Sequence, residues 1–420
     1  MDHGIIYIIA ACCIGLWMTW GVGANDLANI MSTAMGSKAI SVRQAIIIAI
    51  VFEIAGAFLG GGEVSSTIRS GIIEANQFAN NPQILIFVML SVLSASALWI
   101  TVASYLGMLF SITNAIVGAL VGLGVIMLGL HAVHWQTVSY IAISWILSPA
   151  IAGVLSYLLF ISIRRWILGV EEPLEAAKQH VPIYLVLVAV VLAMMTTLKA
   201  VDHFHLKPGF FKMAAIMLAT VAVVIVVGFV AMRNFFVKVH ERRHMQFAYI
   251  EGMFSVLMAF TACAMVFAHG SNDVAIAVGP VAGVISLVEA GNASHNGMML
   301  NGIMLLGCLG VVLGLFMYGR KVIETVGSSI TILTPSRAFA ATLAAASVVV
   351  ASTSTGIPVS ATQTLVGAVF GVGLARGIDA LNLDVIRNIF MSWVITIPVA
   401  AGLATLIFYL LRIIQSHVFL

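Results

Sequence analysis

The sequence predicts an all-α polytopic membrane protein of about twelve transmembrane helices, arranged as two inverted five-helix repeats with broken helices, plus two inserted helices. Composition is the first reason: 61% of the 420 residues are hydrophobic and 8% are charged, whereas a soluble domain is about 25% charged. Length is the second, because apolar runs of about 20 residues, enough to cross a bilayer as a helix, recur along the chain.

The apolar runs are continuous, without the period-two alternation of a membrane β-barrel, so helices are expected. Twelve runs are predicted to be spans: 4–22, 42–61, 83–104, 113–130, 138–162, 183–199, 211–232, 248–268, 300–318, 338–352, 362–375 and 387–412. The expected partner of these spans is the lipid bilayer, and no basic cluster indicates a nucleic-acid partner.

The basic residues predict the orientation. If the N-terminus lies outside, fourteen of the nineteen Lys and Arg residues fall in loops on the inner side. Because basic residues accumulate in cytoplasmic loops, both termini are expected outside the cytoplasm, in the cell (inner) membrane.

Polar motifs that occur twice are the third reason for the predicted fold. Residues 23–28 (GANDLA) recur as 270–275 (GSNDVA), residues 111–119 recur as 360–368, and Ser144-Trp145 recurs as Ser392-Trp393. This divides the chain into a first repeat (1–163), an inserted helix pair (164–247) and a second repeat (248–420). Seven spans precede the second repeat, so it is inverted, as in many secondary transporters.

The first motif lies in a stretch too long for one straight crossing. Residues 5–37 contain no Lys or Arg, and a helix of that length would run about 50 Å against a hydrocarbon core of about 30 Å. We therefore expect breaks near Gly21 and Gly23, and again near Gly270, which would place the motifs on irregular backbone inside the membrane. A solvated loop is the alternative. The polar side chains proposed as cation ligands are Asn25, Asp26, Asn29, Asn272 and Asp273.

Glu53, in the second span, is an ionisable residue at membrane depth and therefore a candidate for the transport pathway. The alternative, a hydrogen bond to another helix, is left open.

The second motif looks like two helix starts. Ser, Thr and Asn are good N-caps, and free N–H groups at a helix N-terminus attract anions. Ordinary capping uses the same groups, so the two interpretations are compatible. The predicted anion ligands are Ser111, Thr113, Asn114, Ser360, Thr362 and Gln363. Since no Lys or Arg lies near either motif, an anion beside two aspartates would need cations to accompany it.

At these residues the sequence resembles the inorganic phosphate transporter (PiT) family, with its paired Gly-Ala-Asn-Asp-Val-Ala-Asn-Ala signature and a Pro-Val-Ser-Thr-Thr-His signature further on. Residues 23–29, and 270–275 after Ala268-His269, match the first signature. The resemblance covers nearly the whole chain. It implies cation-coupled uptake of inorganic phosphate, an outside N-terminus and a homodimer. The departures from the family pattern are Ile112, Asn114, Met258, Ile276, Ala361 and Gln363.

The coupling ion, sodium or a proton, remains open, and no other metal or cofactor is expected. Proton coupling needs only the two aspartates, whereas an Asn-rich signature favours sodium, because an amide binds a cation but does not titrate. Ile276 removes one such amide from the second half.

Three alternatives remain: a symporter of sulfate or another oxyanion, an anion channel, and an intramembrane aspartyl protease. Such proteases resemble one another in Tyr-Asp and Gly-x-Gly-Asp motifs, whereas Asp26 and Asp273 each follow an Asn. A transporter, and not an enzyme, is predicted.

Overall fold

The computed structural model describes residues 4–73, 82–204, 209–235, 243–289, 297–319 and 332–418. Over these ranges the chain is helical, without named strands; one isolated antiparallel bridge pairs Ile73 with Val133. Within these described ranges, ten helices are long and apolar enough to cross a membrane. The prediction of a helical, multi-pass membrane protein is therefore confirmed.

Twelve helices, numbered α1 to α12, overlap the twelve predicted spans one by one. Short helical turns extend some of them, including Gly62–Ser66 and Thr67–Gly71 after α2. They are α1 (Gly4–Gly36), α2 (Val42–Gly60), α3 (Pro82–Tyr105), α4 (Ile112–Leu128), α5 (Trp135–Leu168), α6 (Pro173–His203), α7 (Phe210–Met232), α8 (Arg243–His269, continued by Gly270–Val274 and Ala275–Glu289), α9 (Gly297–Gly314, continued by Leu315–Gly319), α10 (Pro335–Thr353), α11 (Ala361–Arg376) and α12 (Leu383–Val418).

The predicted breaks in α1 and α8 are wrong. Both helices continue through the signature, but each widens into a π-helical turn, Gly23–Leu27 in α1 and Gly270–Val274 in α8. A π turn holds one more residue than an α turn while its backbone groups stay bonded along the helix. It therefore solves the problem that irregular backbone would create in a membrane, where unpaired N–H and C=O groups are costly.

Glycines let a second helix cross each π turn. A Cβ on Gly23 would overlap the carbonyl of Val311 in α9, and one on Gly270 would overlap the carbonyl of Glu53 in α2. The contacts are reciprocal, because Gly314 of α9 and Gly56 of α2 press on backbone of α1 and α8 in the same way. The first helix of each half thus packs on the second helix of the other half.

The helix pairs α3–α4 and α10–α11 correct the prediction of twelve full crossings. Ser111, just before α4, donates a hydrogen bond from Oγ to Oγ of Ser360, just before α11, at 2.9 Å, and both are buried. Twelve crossings would put these two connections on opposite faces, about 30 Å of hydrocarbon apart. Because they touch, each pair enters and leaves by one face, and its tip lies inside the protein.

The remaining contacts fix α10 and place the inserted pair. Both carboxylate oxygens of Glu251 in α8 accept hydrogen bonds from Ser336, one from its backbone N–H and one from its hydroxyl, each at 2.8 Å. Glu251 thereby caps α10, as N-terminal carboxylates commonly do. Helix α6 packs on α8, while α7 is almost wholly exposed, as expected of a helix facing lipid.

Candidate functional site

Asp26, in the π turn of α1, contacts both re-entrant helix pairs, α3–α4 and α10–α11, whose tips lie inside the protein. Its Oδ1 accepts a hydrogen bond from the Thr362 hydroxyl at 3.0 Å, and the backbone N–H of Ile112, at the start of α4, also bonds the carboxylate. The other oxygen, Oδ2, is buried without a hydrogen-bond partner among the described residues. A buried carboxylate oxygen in this state is costly unless a cation or a proton accompanies it.

Two amides extend this turn towards the α3–α4 connection. Asn29 donates from Nδ2 to Oδ1 of Asn25 at 3.0 Å, and Asn25 donates to Ser104 Oγ at 3.1 Å and to the carbonyl of Met108 at 3.2 Å. The amide oxygen of Asn29 is buried and has no partner in the described part of the chain. It adds a second unsatisfied hard oxygen, three residues from the first.

In the second half, Asn272 holds the α10–α11 connection through its backbone. Its Nδ2 donates to the carbonyl of Val359 at 2.6 Å, and its Oδ1 accepts from the N–H of the same residue at 3.2 Å. The same Nδ2 lies 3.1 Å from Oδ2 of Asp273. Ile276 is fully buried and places an apolar side chain at the expected position of a second amide.

The predicted anion ligands lie at two helix N-termini that face each other. Ser111 accepts from the N–H of Asn114, and Ser360 accepts from the N–H of Gln363, so both are N-caps. Thr113 donates across the contact to the carbonyl of Val359 at 3.0 Å. The capping interpretation therefore holds, and the helix starts also provide the donors that an oxyanion needs.

A buried carboxyl–imidazole contact beside the π turn of α8 escaped the sequence prediction. Glu53 Oε1 lies 2.6 Å from Nδ1 of His269, whose Nε2 lies 4.0 Å from Oδ2 of Asp273, and all three side chains are buried. Of the two alternatives left open for Glu53, the structure places it in a hydrogen bond to another helix. His269 directly precedes the glycine of the signature, and this position was the signal in the sequence that could have indicated its role.

Three buried carboxyl groups, those of Asp26, Asp273 and Glu53, lie in and beside the two signature turns, where neither signature contains a Lys or Arg. Glu53 and Asp273 both lie beside the imidazole of His269. Oxygen atoms are the ligands preferred by hard cations. The unpartnered oxygens of Asp26 and Asn29 are therefore ligands of the type that a small hard cation such as sodium prefers.

Comparison with known proteins agrees with this arrangement. A family model described as "Phosphate transporter family" matches residues 22–404. The chain belongs to the phosphate transporter family. The predicted resemblance is thus confirmed, and the family consists of transporters.

Individual members of the phosphate transporter family resemble the chain over nearly its full length. A Haemophilus influenzae protein named as a phosphate permease is 45% identical over 417 residues, 98% of both chains. "Inorganic phosphate transporter 2-1, chloroplastic" from Arabidopsis thaliana is 36% identical over 97% of this chain and 73% of its own. A solved structure, "The sodium-dependent phosphate transporter", has a TM-score of 0.86 and 34% identity, covering 97% of this chain and all of that one.

Proposed function

We propose that this member of the phosphate transporter family is a symporter that takes up inorganic phosphate together with sodium. The observation that carries the proposal is the hydrogen bond between Thr362 and Asp26, which joins an anion-binding helix start of one half to the signature carboxylate of the other. The similarity to a structure named as sodium-dependent supports sodium as the coupling ion.

Phosphate would lie between the starts of α4 and α11. Its oxygens would accept hydrogen bonds from backbone N–H groups and from Ser111, Thr113, Asn114, Ser360, Thr362 and Gln363. Because the Ser111 and Ser360 hydroxyls bond each other in this structure, they separate when the anion enters.

Sodium would bind at Asn25, Asp26, Asn29, Asn272 and Asp273. Its positive charge would offset the repulsion between the aspartates and the anion. The Asp26 carboxylate bonds the same helix starts that phosphate requires, so without a cation it would repel the anion. Sodium at Asp26 removes that repulsion and releases Thr362 for phosphate. Transport of sodium without phosphate, or of phosphate without sodium, is thereby disfavoured. This is how the two fluxes would be coupled.

The inverted repeat belongs to this proposal, with the divisions 1–163, 164–247 and 248–420. Reciprocal contacts support it: Ser392 donates to the carbonyl of Leu109 at 2.6 Å, and its counterpart Ser144 lies 3.4 Å from the carbonyl of Pro358. The tips of the re-entrant pairs contain no Lys or Arg, so the numbers of basic residues predicted on each side of the membrane do not change. The distribution of basic residues still favours both termini outside the cytoplasm in an inner membrane. A homodimer stays a proposal from family resemblance.

Phosphate is favoured over sulfate by a buried acceptor that lacks a donor, because Gln363 Oε1 has no hydrogen-bond partner in the described ranges. Phosphate near neutral pH carries P–O–H groups that can donate to this oxygen, whereas sulfate has none. A site built to accept from its ligand rejects an analogue that lacks the donor.

Proteoliposomes with radiolabelled phosphate, under separately imposed sodium and proton gradients, test the function. Inward sodium at equal pH should drive uptake that saturates with phosphate, and excess sulfate should compete weakly. Uptake driven by a pH gradient without sodium would overturn sodium coupling. Linear, unsaturable flux would indicate a channel.

A further inference from the structure

A cavity of about 840 Å³ lies beside the ends of α2, α6 and α9, on the side that the basic residues predict to be outside. It is separate from the helix N-termini that form the proposed phosphate site. Its polar lining consists of Glu63, Ser66, Thr67, Lys199, His203, Asn301 and Thr355.

Lys199, near the end of α6, is the unusual member of this lining. Only 3% of the residue is exposed, and lysine is almost never fully buried unless it is paired. Its Nζ donates to Glu63 Oε2 at 3.2 Å and to the carbonyl of Thr353, the last residue of α10, at 3.0 Å. An ammonium has three N–H donors, so these contacts leave one for a ligand.

Glu63 can give way to such a ligand. About half of its side chain is exposed, against 4% of the Lys199 side chain, so the carboxylate can turn into the cavity while the ammonium cannot. An anion arriving in the cavity would therefore compete with Glu63 for a fixed positive charge.

The cavity ends close to the signature. A Cβ on Gly60 would lie 3.3 Å from Lys199 Cδ and 2.7 Å from Ser271 Cβ. Gly60 thus lies close to both the lysine stem and the π turn of α8. Thr67 donates to the carbonyl of Gly356 at 2.8 Å, and Gly356 lies in the α10–α11 connection that leads to Ser360.

We propose that this cavity is an outer oxyanion site, in which Lys199 binds phosphate after the anion displaces the Glu63 carboxylate and before it reaches the helix starts. The proposal rests on the proposed function, because phosphate is taken as the cargo. It adds a fixed cation to a pathway whose signature residues include no Lys or Arg.

Substitutions with opposite expected effects test it in the phosphate uptake assay. Lys199→Gln should raise the apparent KM for phosphate about ten-fold, since a hydrogen bond to a charged group is lost, and Lys199→Arg should restore most of the affinity. Glu63→Gln removes the competitor and should lower the KM. The double variant should behave like Lys199→Gln. Lys212→Gln, an exposed lysine on the same predicted side, is the matched control and should leave the KM unchanged.

A purely structural ion pair predicts a different pattern. Lys199→Gln and Glu63→Gln would then impair the protein in the same direction, and the double variant would recover. That pattern, or equal KM values in Lys199→Gln and Lys212→Gln, would overturn the proposal.

Binding without transport separates this proposal from the proposed function. Thr355→Cys places a thiol on the cavity wall for a membrane-impermeant maleimide. Inorganic phosphate should slow its labelling in sodium-free buffer, and Lys199→Gln should abolish the protection. Protection without any sodium-driven uptake would retain the outer site and reject the symporter, whereas uptake without protection would reject the outer site alone.

Discussion

Replacing Asp26 by asparagine removes one charge and almost nothing else. The amide has the shape of the carboxylate, and its oxygen can still accept the hydrogen bond from Thr362 that Oδ1 accepts at 3.0 Å. The new NH2 group would stand where Oδ2 has no hydrogen-bond partner within the described structure. The free energy of unfolding should therefore change by no more than about 1 kcal/mol, the contribution of an ordinary hydrogen bond.

Transport should respond far more strongly. Two unit charges 4 Å apart interact by about 4 kcal/mol at the effective dielectric constant of protein sites, which corresponds to roughly a thousand-fold in cation affinity. Asp26→Asn should therefore reduce sodium-driven phosphate uptake to background at ordinary sodium concentrations. Asp273→Asn should do the same, because Asp273 lies in the equivalent π turn.

The assay is initial uptake into proteoliposomes, with thermal unfolding measured on the same purified protein. Asp384→Asn, at the exposed start of α12, is the matched control and should retain wild-type uptake. If Asp26→Asn unfolds at the wild-type temperature and keeps more than half of the uptake, the carboxylate does not bind the coupling ion.

Three further predictions concern the helix starts, the signature and the crossing of α1 with α9. Ser111→Ala, Thr113→Ala, Ser360→Ala and Thr362→Ala should each raise the phosphate KM about ten-fold, more than they lower the maximal rate, because each removes one anion contact; unchanged KM in all four would mean that the hydroxyls only cap helices. Ile276→Asn should lower the sodium concentration for half-maximal uptake by adding an amide ligand, and a sodium dependence equal to wild type would remove position 276 from the cation site. Gly23→Ala should abolish folded protein in detergent, since its Cβ overlaps the Val311 carbonyl, whereas Gly302→Ala, with nothing within 4 Å, should not; comparable yields would contradict the close crossing.

Apolar length located the twelve long helices of the described chain, and the duplicated motifs indicated most of the polar residues of the candidate site. They could not reveal the π turns, because one extra residue in a buried turn leaves no mark on an apolar pattern. They also could not distinguish a re-entrant pair from two crossings. Helices α3 and α4 have the length and composition of spans, and only the contact between Ser111 and Ser360 separates the alternatives.

Long-range pairing explains what else the sequence concealed. Lys199 is the last residue of the predicted span 183–199, yet it is buried through partners 136 and 154 residues away in the chain. His269 stood next to the signature, but its partner Glu53 is 216 residues distant. Such partners become evident only when the helices are packed.

The reciprocal glycine crossings also constrain how the protein assembles. When α1 has entered the membrane, the helix that packs on its π turn, α9, has not yet been synthesised, and α2 likewise waits for α8. Long-range contacts of this kind form slowly, so the first half should remain loosely packed until translation is almost complete. Separately expressed fragments 1–163 and 164–420 should each be degraded alone and stabilise one another when produced together, because neither contains both surfaces of either crossing.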